Sequence, residues 1–263
     1  MKTSATVICF VVGIIAATIA KNLPGDNNQI DRSTSSSEEL SDFKEYITQI
    51  QTMCYERTNS TETFQNLLVS MYGVPLCLQA TVDLPSLMND VTDLDASTRH
   101  ELFPKYCSQI RSALVCLDPP KEEFRKCLDP NDAVILDSVV NAMPDAIDLL
   151  CKNDGEILFK DDANYNVCMD KYSNYATECA ALVSNETDLM EVSKFGRPQC
   201  DELVNVRNCM EGKFNECNGP QVMEVFDVFW RAFIRNTPCK NFVTSTKTEA
   251  KKRGKIIKSQ QVY

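Results

Sequence analysis

The sequence predicts an all-α fold, a disulfide-stapled helical bundle that contains two repeated helical-hairpin modules. Three observations carry this. Four cysteines recur in two copies, as C-x8-C-x10-C-x23-C over Cys107–Cys151 and C-x8-C-x7-C-x21-C over Cys200–Cys239. Each copy places a proline just past its third cysteine (Pro130, Pro220), then an apolar run, then Cys-Lys-Asn. Glycine is scarce, 8 in 263 residues, and Asn218-Gly219, the one Asn-Gly, is followed by proline and flanked by helical rather than alternating patterns.

Residues 1–20 read as a secretory leader. Lys2 supplies the charge, Val7–Ile19 the apolar run and Thr18-Ile19-Ala20 a small-residue cleavage site. The run is shorter than the ~20 apolar residues a membrane span needs, and no later stretch is longer, so no transmembrane segment is expected. Removing the leader removes Cys9 and leaves Cys54, Cys77, Cys107, Cys116, Cys127, Cys151, Cys168, Cys179, Cys200, Cys209, Cys217 and Cys239. An even, dispersed set behind a leader predicts a secreted, extracellular, disulfide-built protein. The set contains no C-x-x-C pair and His100 is the only histidine, so a zinc-type site lacks its usual ligands.

Residues 21–37 are polar and read as a flexible leader segment. The cysteine-rich helical domain is expected over 38–241. Ser36 and Glu39 suggest a capping box ahead of a helix carrying Leu40, Phe43, Ile47, Ile50 and Cys54. A second helix is read over Thr63–Tyr72, closed by Gly73, and a third segment from Pro75. In the upstream copy the run Asp132–Leu150 contains Pro144, which predicts a kink or break. Between the copies, Cys168 and Cys179 are eleven residues apart and share a helix face. In the downstream copy Val222, Val225, Phe226, Phe229, Trp230, Phe233 and Ile234 recur at helical spacing. From Lys240 to the end there are seven Lys/Arg and one Glu; residues 242–263 read as a disordered basic tail, suited to contact with an acidic surface.

In an antiparallel hairpin, residues equidistant from the turn face each other. That nominates Cys107 with Cys151 and Cys200 with Cys239. Breaks at Pro119-Pro120 and Gly212 allow local closure of Cys116 with Cys127 and of Cys209 with Cys217. Cys168 and Cys179 are then left to staple their helix to Cys54 and Cys77. All of these are candidates, since connectivity does not follow from sequence. Asn59-Ser60-Thr61 and Asn185-Glu186-Thr187 are N-glycosylation acceptors, so Asn59 and Asn185 are expected at the surface.

The stretch from Phe103-Pro104-Lys105-Tyr106-Cys107 to Cys239 resembles the insect twenty-seven-kilodalton hemolymph glycoprotein family. The shared features are the KYC start, both four-cysteine copies, the C-K-N-D-G-E run at Cys151–Glu156, the Cys168/Cys179 spacing, Lys194-Phe195-Gly196 and the terminal Thr237-Pro238-Cys239. The resemblance covers about Leu40 to Asn241 and implies a secreted, helical, glycosylated hemolymph protein. It carries over no catalytic residue, and the basic tail lies outside the family pattern.

The net charge is −10, and the basic tail makes the remaining body more acidic still, which disfavours nucleic acid as a partner. Enzyme chemistry finds little footing. There is no G-x-S-x-G, His100 sits in a charged stretch, and Glu122-Glu123 and Asp161-Asp162 are adjacent pairs that diverge on a helix. A secreted hydrolase is therefore the weakest reading, with no catalytic residue, metal ligand or cofactor expected. The favoured reading is a non-enzymatic hemolymph-type glycoprotein that binds an unknown extracellular protein or other ligand. The alternative is a carrier of an apolar small molecule, walled by Phe226, Phe229, Trp230 and Phe233, where the plainer account of those rings is a dry core.

Overall fold

The computed structural model describes residues 35–92, 94, 95, 97–159, 171–184, 191–217, 219 and 221–243, with side chains described from Ile47 onward except at position 173. Every regular element among them is helical. In chain order these are α1 (Ser35–Thr58), α2 (Glu62–Thr81), α3 (Leu84–Thr92), α4 (Arg99–Ala113), α5 (Asp118–Cys127), α6 (Pro130–Val140), α7 (Met143–Cys151), α8 (Tyr172–Ala180), α9 (Arg197–Glu216) and α10 (Val222–Arg235). Single 3-10 turns cover Leu114–Leu117, Glu156–Leu158 and Val192–Lys194.

Proline sets several of the helix starts. Pro130 opens α6 behind Asp129, whose carboxylate accepts the Asn131 N–H at 3.0 Å. The run Asp132–Leu150 does break: α6 ends at Val140 and α7 starts at Met143, with Pro144 in its first turn, where its missing N–H costs nothing. Pro198 stands in the first turn of α9, and the Gly196 N–H donates to Gln199 Oε1 at 3.0 Å.

Tertiary packing overrides two readings at glycine. Gly73 does not end α2, which runs on through Pro75 to Thr81. Its far turns are clamped by the Cys77–Cys116 disulfide and by packing on α5, which offsets the ~1 kcal/mol penalty of an interior glycine. Likewise Gly212 lies inside α9 rather than breaking it. Ser36 is already within α1, which starts at Ser35, so it is not the cap expected there.

The described disulfides are Cys54–Cys127, Cys77–Cys116, Cys107–Cys151, Cys179–Cys209 and Cys200–Cys239. Cys107–Cys151 and Cys200–Cys239 close the two four-cysteine copies. The local pairs Cys116/Cys127 and Cys209/Cys217 do not form. Cys116 and Cys127 lie eleven residues apart on the 3-10 turn and the α5 that continues it, about 16 Å along the axis if wholly helical. Cys209 on α9 and Cys217 at its C-cap are similarly about 12 Å apart along the axis. Both separations exceed the roughly 7 Å that a disulfide allows between Cα atoms. Nor do Cys54 and Cys77 reach Cys179: they bond Cys127 and Cys116, while Cys179 bonds Cys209. The two copies also differ in helical form. Four-helix segmentation (α4, α5, α6, α7) fills the upstream copy, and two long helices (α9, α10) the downstream one.

The core is built as adjoining clusters. Ile50, Cys54, Phe64, Leu67 and Cys127 join α1, α2 and α5. Val91, Leu102, Phe103, Tyr106 and Cys107 join α3 and α4, with Cys151, Leu158 and Phe159 packed against them. Ile135 of α6 enters a cluster with Val192, Phe195, Cys200, Leu203, Phe233, Ile234 and Cys239. Ala142 and Ala146 meet Val228 and Ala232 where α7 packs on α10. Buried Asp132 is satisfied by the Ser193 N–H and hydroxyl, at 2.7 and 2.8 Å.

Candidate functional site

Two surfaces stand out among the described residues once the core is accounted for. The first is the outer face of α2. From Thr63 to Val82 the chain carries no charge. Phe64 and Leu67 point inward and are buried. On the opposite side Val69, Tyr72 and Leu76 are 70%, 76% and 69% exposed. Their i, i+3, i+7 spacing lines them up on one stripe. Gly73 lies between them, with open space where a side chain would stand. A helix apolar on both faces belongs inside a protein, and contiguous exposed apolar surface marks an interaction site. Among the described residues no single helix is long and apolar enough to cross a membrane. Helices α2 and α3 reach that length and composition only as a pair, across a 74° bend.

The second surface is a pair of grooves flanking the α6–α7 turn. One, of about 270 Å³, is lined by Leu114, Val115, Leu117, Val140, Met143 and Pro144, with Asp118, Lys121 and Asn141 at its polar edge. The other, of about 250 Å³, lies between that turn and α10, and Arg231 and Arg235 line it with Ser138, Asn141 and Asp145.

The residues nominated from sequence are distributed differently. Each described cysteine is disulfide-bonded, Cys217 included; Cys168 lies outside the described residues. Asn59 is exposed in the α1–α2 turn at φ 53°, a left-handed conformation that asparagine tolerates. Asn185 lies outside the described residues, as do Asp161, Asp162 and the tail from Thr244. The four aromatics of α10 do not face one space. Phe233 is buried in the Val192–Cys239 cluster with Trp230 packed on its edge, Phe226 packs with Met210 and Phe214, and Phe229 packs with Ala146 and Val228. Phe226 and Trp230 stack on each other at 6.4 Å.

Titratable side chains are engaged structurally. His100 Nδ1 lies 2.7 Å from the Asp154 carboxylate at the surface. Glu122 pairs with Lys121 and Arg125, and Glu123 with Lys126. Fully buried Tyr106 donates its hydroxyl to Asp90 at 2.8 Å, and Lys105 donates to the same oxygen at 2.8 Å. Burial pushes the Tyr106 hydroxyl up, and the hydrogen bonds from Lys105 and Tyr106 hold the Asp90 carboxyl below its ordinary value. This trio clamps α3 to α4 and lines neither groove. No group of His, Cys, Asp or Glu side chains among the described residues is arranged to hold a metal ion.

The α2 stripe and the Arg231/Arg235 groove were not singled out from sequence. The charge-free run at 63–82 was a readable signal for the first. The second needs the fold, because α6, α7 and α10 meet only in three dimensions.

A helical body, disulfides throughout and relatives drawn from hemolymph define a secreted, extracellular, disulfide-built protein. The relatives are the "27 kDa hemolymph glycoprotein" of Manduca sexta, 21% identical over 62% of this chain and 72% of that protein, and the "27 kDa hemolymph protein" of Galleria mellonella, 20% identical over 62% and 71%. The chain belongs to the family described as "Protein of unknown function (DUF1397)", whose model matches residues 40–239. Neither relative is named as an enzyme. No solved structure matches.

Proposed function

We propose that this protein is a non-catalytic extracellular binding protein that engages a partner protein through the outer stripe of α2. The observation that carries the reading is the exposure of Val69, Tyr72 and Leu76 on a helix that carries no charge after Glu62 and whose other face is already used by the core. A partner with an apolar groove or helix face would remove those side chains from water at roughly 25 cal/mol per Å², without having to match any charge. The divided packing of Phe226, Phe229, Trp230 and Phe233 speaks against an enclosed carrier cavity at α10.

The test is affinity capture from extracellular fluid with the full chain and with the double variant Val69→Glu/Leu76→Glu. Both positions are solvent-facing, so the variant should keep its thermal midpoint within a few degrees. A stoichiometric partner retained by the wild type and lost by the variant is the expected result. A partner held equally by both, or none, overturns the proposal.

A further inference from the structure

The two grooves at the α6–α7 turn have a feature that the partner-binding reading does not use. Most of the acidic body's arginines are engaged. Arg57, Arg111, Arg125, Arg197 and Arg207 each pair with a carboxylate. Arg99 donates to the backbone carbonyls of Asn153 and Asp154. Arg231 and Arg235 are the two exceptions among the described residues, in a chain where acids outnumber bases by ten. They stand one turn apart on α10, on the same side, and both line one groove. Two like charges at that spacing oppose each other. Asp145, on the facing wall, makes no ion pair within 4 Å with either, so the groove has one carboxylate against two guanidinium groups. Asp145 is also in the first turn of α7, where the helix dipole already favours a negative charge.

Asn141 at the crest of the turn lines this groove and also the neighbouring one. That neighbour is predominantly aliphatic: Leu114, Val115, Leu117, Val140, Met143 and Pro144. Val115 is 57% exposed there, an apolar side chain left facing solvent. A cationic groove and an aliphatic slot thus meet over one residue. Guanidinium groups are suited to bidentate contacts with carboxylate or sulfate oxygens, and an aliphatic slot takes an alkyl chain.

We infer that the α6–α7 turn carries a site for an amphiphilic anion, an alkyl chain in the Leu114–Pro144 slot and a carboxylate or sulfate head group on Arg231 and Arg235. Asn141 lines both grooves and so sits between the head-group and alkyl-chain positions. The inference is independent of the α2 stripe, which lies on other residues.

Isothermal titration of the full chain with dodecanoate tests it, with acetate, inorganic phosphate and dodecanol as controls. Dodecanoate should bind at least tenfold more tightly than any control, with one site per chain. The Arg231→Gln/Arg235→Gln variant should lose that preference and bind dodecanoate no better than dodecanol. Val115→Asn, an uncharged polar change at an exposed position that should not disturb folding, should weaken dodecanoate several-fold and so shrink its advantage over acetate. Equal binding of dodecanoate by wild type and the arginine variant overturns the inference. So does phosphate binding as tight as dodecanoate, which would describe a plain anion site, or dodecanol binding as tight, which would describe a plain apolar one.

Discussion

The ring of Phe103 occupies the place where Gly155 would carry a side chain: a Cβ built on Gly155 stands 2.1 Å from Phe103 Cζ. Gly155 has φ 74° and follows Asn153 and Asp154 at φ 49° and 54°, three left-handed residues in succession. Arg99 Nη1 donates to the Asn153 and Asp154 carbonyls at 2.6 and 3.0 Å and fixes the turn to the start of α4. Gly155→Ala combines left-handed strain with overpacking, so it should lower stability by about 2–4 kcal/mol in chemical denaturation. Gly212→Ala is its control. That glycine is inside α9 with nothing within 4 Å of an added Cβ, and the change should raise stability by about 0.5–1 kcal/mol. Similar effects of the two changes would contradict the packing described at Gly155.

That turn shows how far the sequence carries. The Cys-Lys-Asn-Asp-Gly-Glu run is legible as a motif, yet its reason, the ring of Phe103 52 residues upstream of Gly155, is not. The all-α class was readable because helical periodicity and cysteine spacing are local. Disulfide pairing was readable only in part. Taken in chain order as two sets of six, the cysteines pair second with fourth and third with sixth in both halves: Cys77–Cys116 and Cys107–Cys151, then Cys179–Cys209 and Cys200–Cys239. The upstream set adds first with fifth, Cys54–Cys127. Hairpin symmetry finds third with sixth, because those cysteines bound each copy, although four helices rather than a single turn lie between them in the upstream one. It misses second with fourth, because that bond joins a helix outside the copy to one inside it. At Gly73 and Gly212 helix propensity lost to packing and to disulfide clamping, neither of which is written locally.

Arg207 of α9 forks onto Asp227 of α10, its Nε and Nη2 donating to the two carboxylate oxygens at 2.8 and 2.9 Å, and its Nη1 reaches Glu211 at 3.0 Å. The hydrogen bonds to Asp227 raise the guanidinium's pKa further, so it stays charged at any working pH. Side-chain exposure of 22% and 23% for Arg207 and Asp227 places the pair between surface and core. Arg207→Ala should therefore cost about 1–2 kcal/mol, above a surface pair and below a buried one. Arg207→Lys should recover less than half, since an ammonium does not reproduce the fork. A neutral Arg207→Ala would show that the α9–α10 contact is held by Met210, Phe214 and Met223 alone.

Acid should weaken the α3–α4 corner. Asp95 accepts from the Ser97 N–H and hydroxyl at 2.7 and 2.6 Å and from the Thr98 N–H at 2.9 Å. The Ser97 hydroxyl bond, with the backbone bonds from Thr98 and Ser97, holds its carboxyl at about 2, against an ordinary 3.8. A depressed folded-state pKa means stabilisation that is fully present above about pH 4 and is lost as pH falls towards 2. Asp90 and Asp83 are lowered too, Asp90 first by its bond from Lys105 and Asp83 first by its bond from Ser86, and they add to the same window. Asp95→Asn should flatten the pH dependence of the thermal midpoint between pH 4 and 2 and leave its slope above pH 5 unchanged. A variant with the wild-type acid profile would remove Asp95 from the account.

The described disulfides staple the two halves of the molecule separately. Among the described disulfides, none joins residues 54–151 to residues 179–239. The halves meet where α6 packs on the Val192–Lys194 turn, through Asp132 and Ile135, and where α6 and α7 pack on α10, with Ala142 and Ala146 facing Val228 and Ala232, all buried. Small side chains let the two helices approach closely, so added volume there has nowhere to go. Ala232→Leu should destabilise by about 1–3 kcal/mol through overpacking. Ala80→Leu, the same chemical change on the exposed face of α2, should be close to neutral. The described disulfides should survive in the Ala232 variant, since each of them lies within one half, so their peptide maps under oxidising conditions should match the wild type while the thermal midpoint falls. An Ala232→Leu midpoint equal to that of Ala80→Leu would mean that the α7–α10 contact yields without cost, and that the halves are not held at that interface.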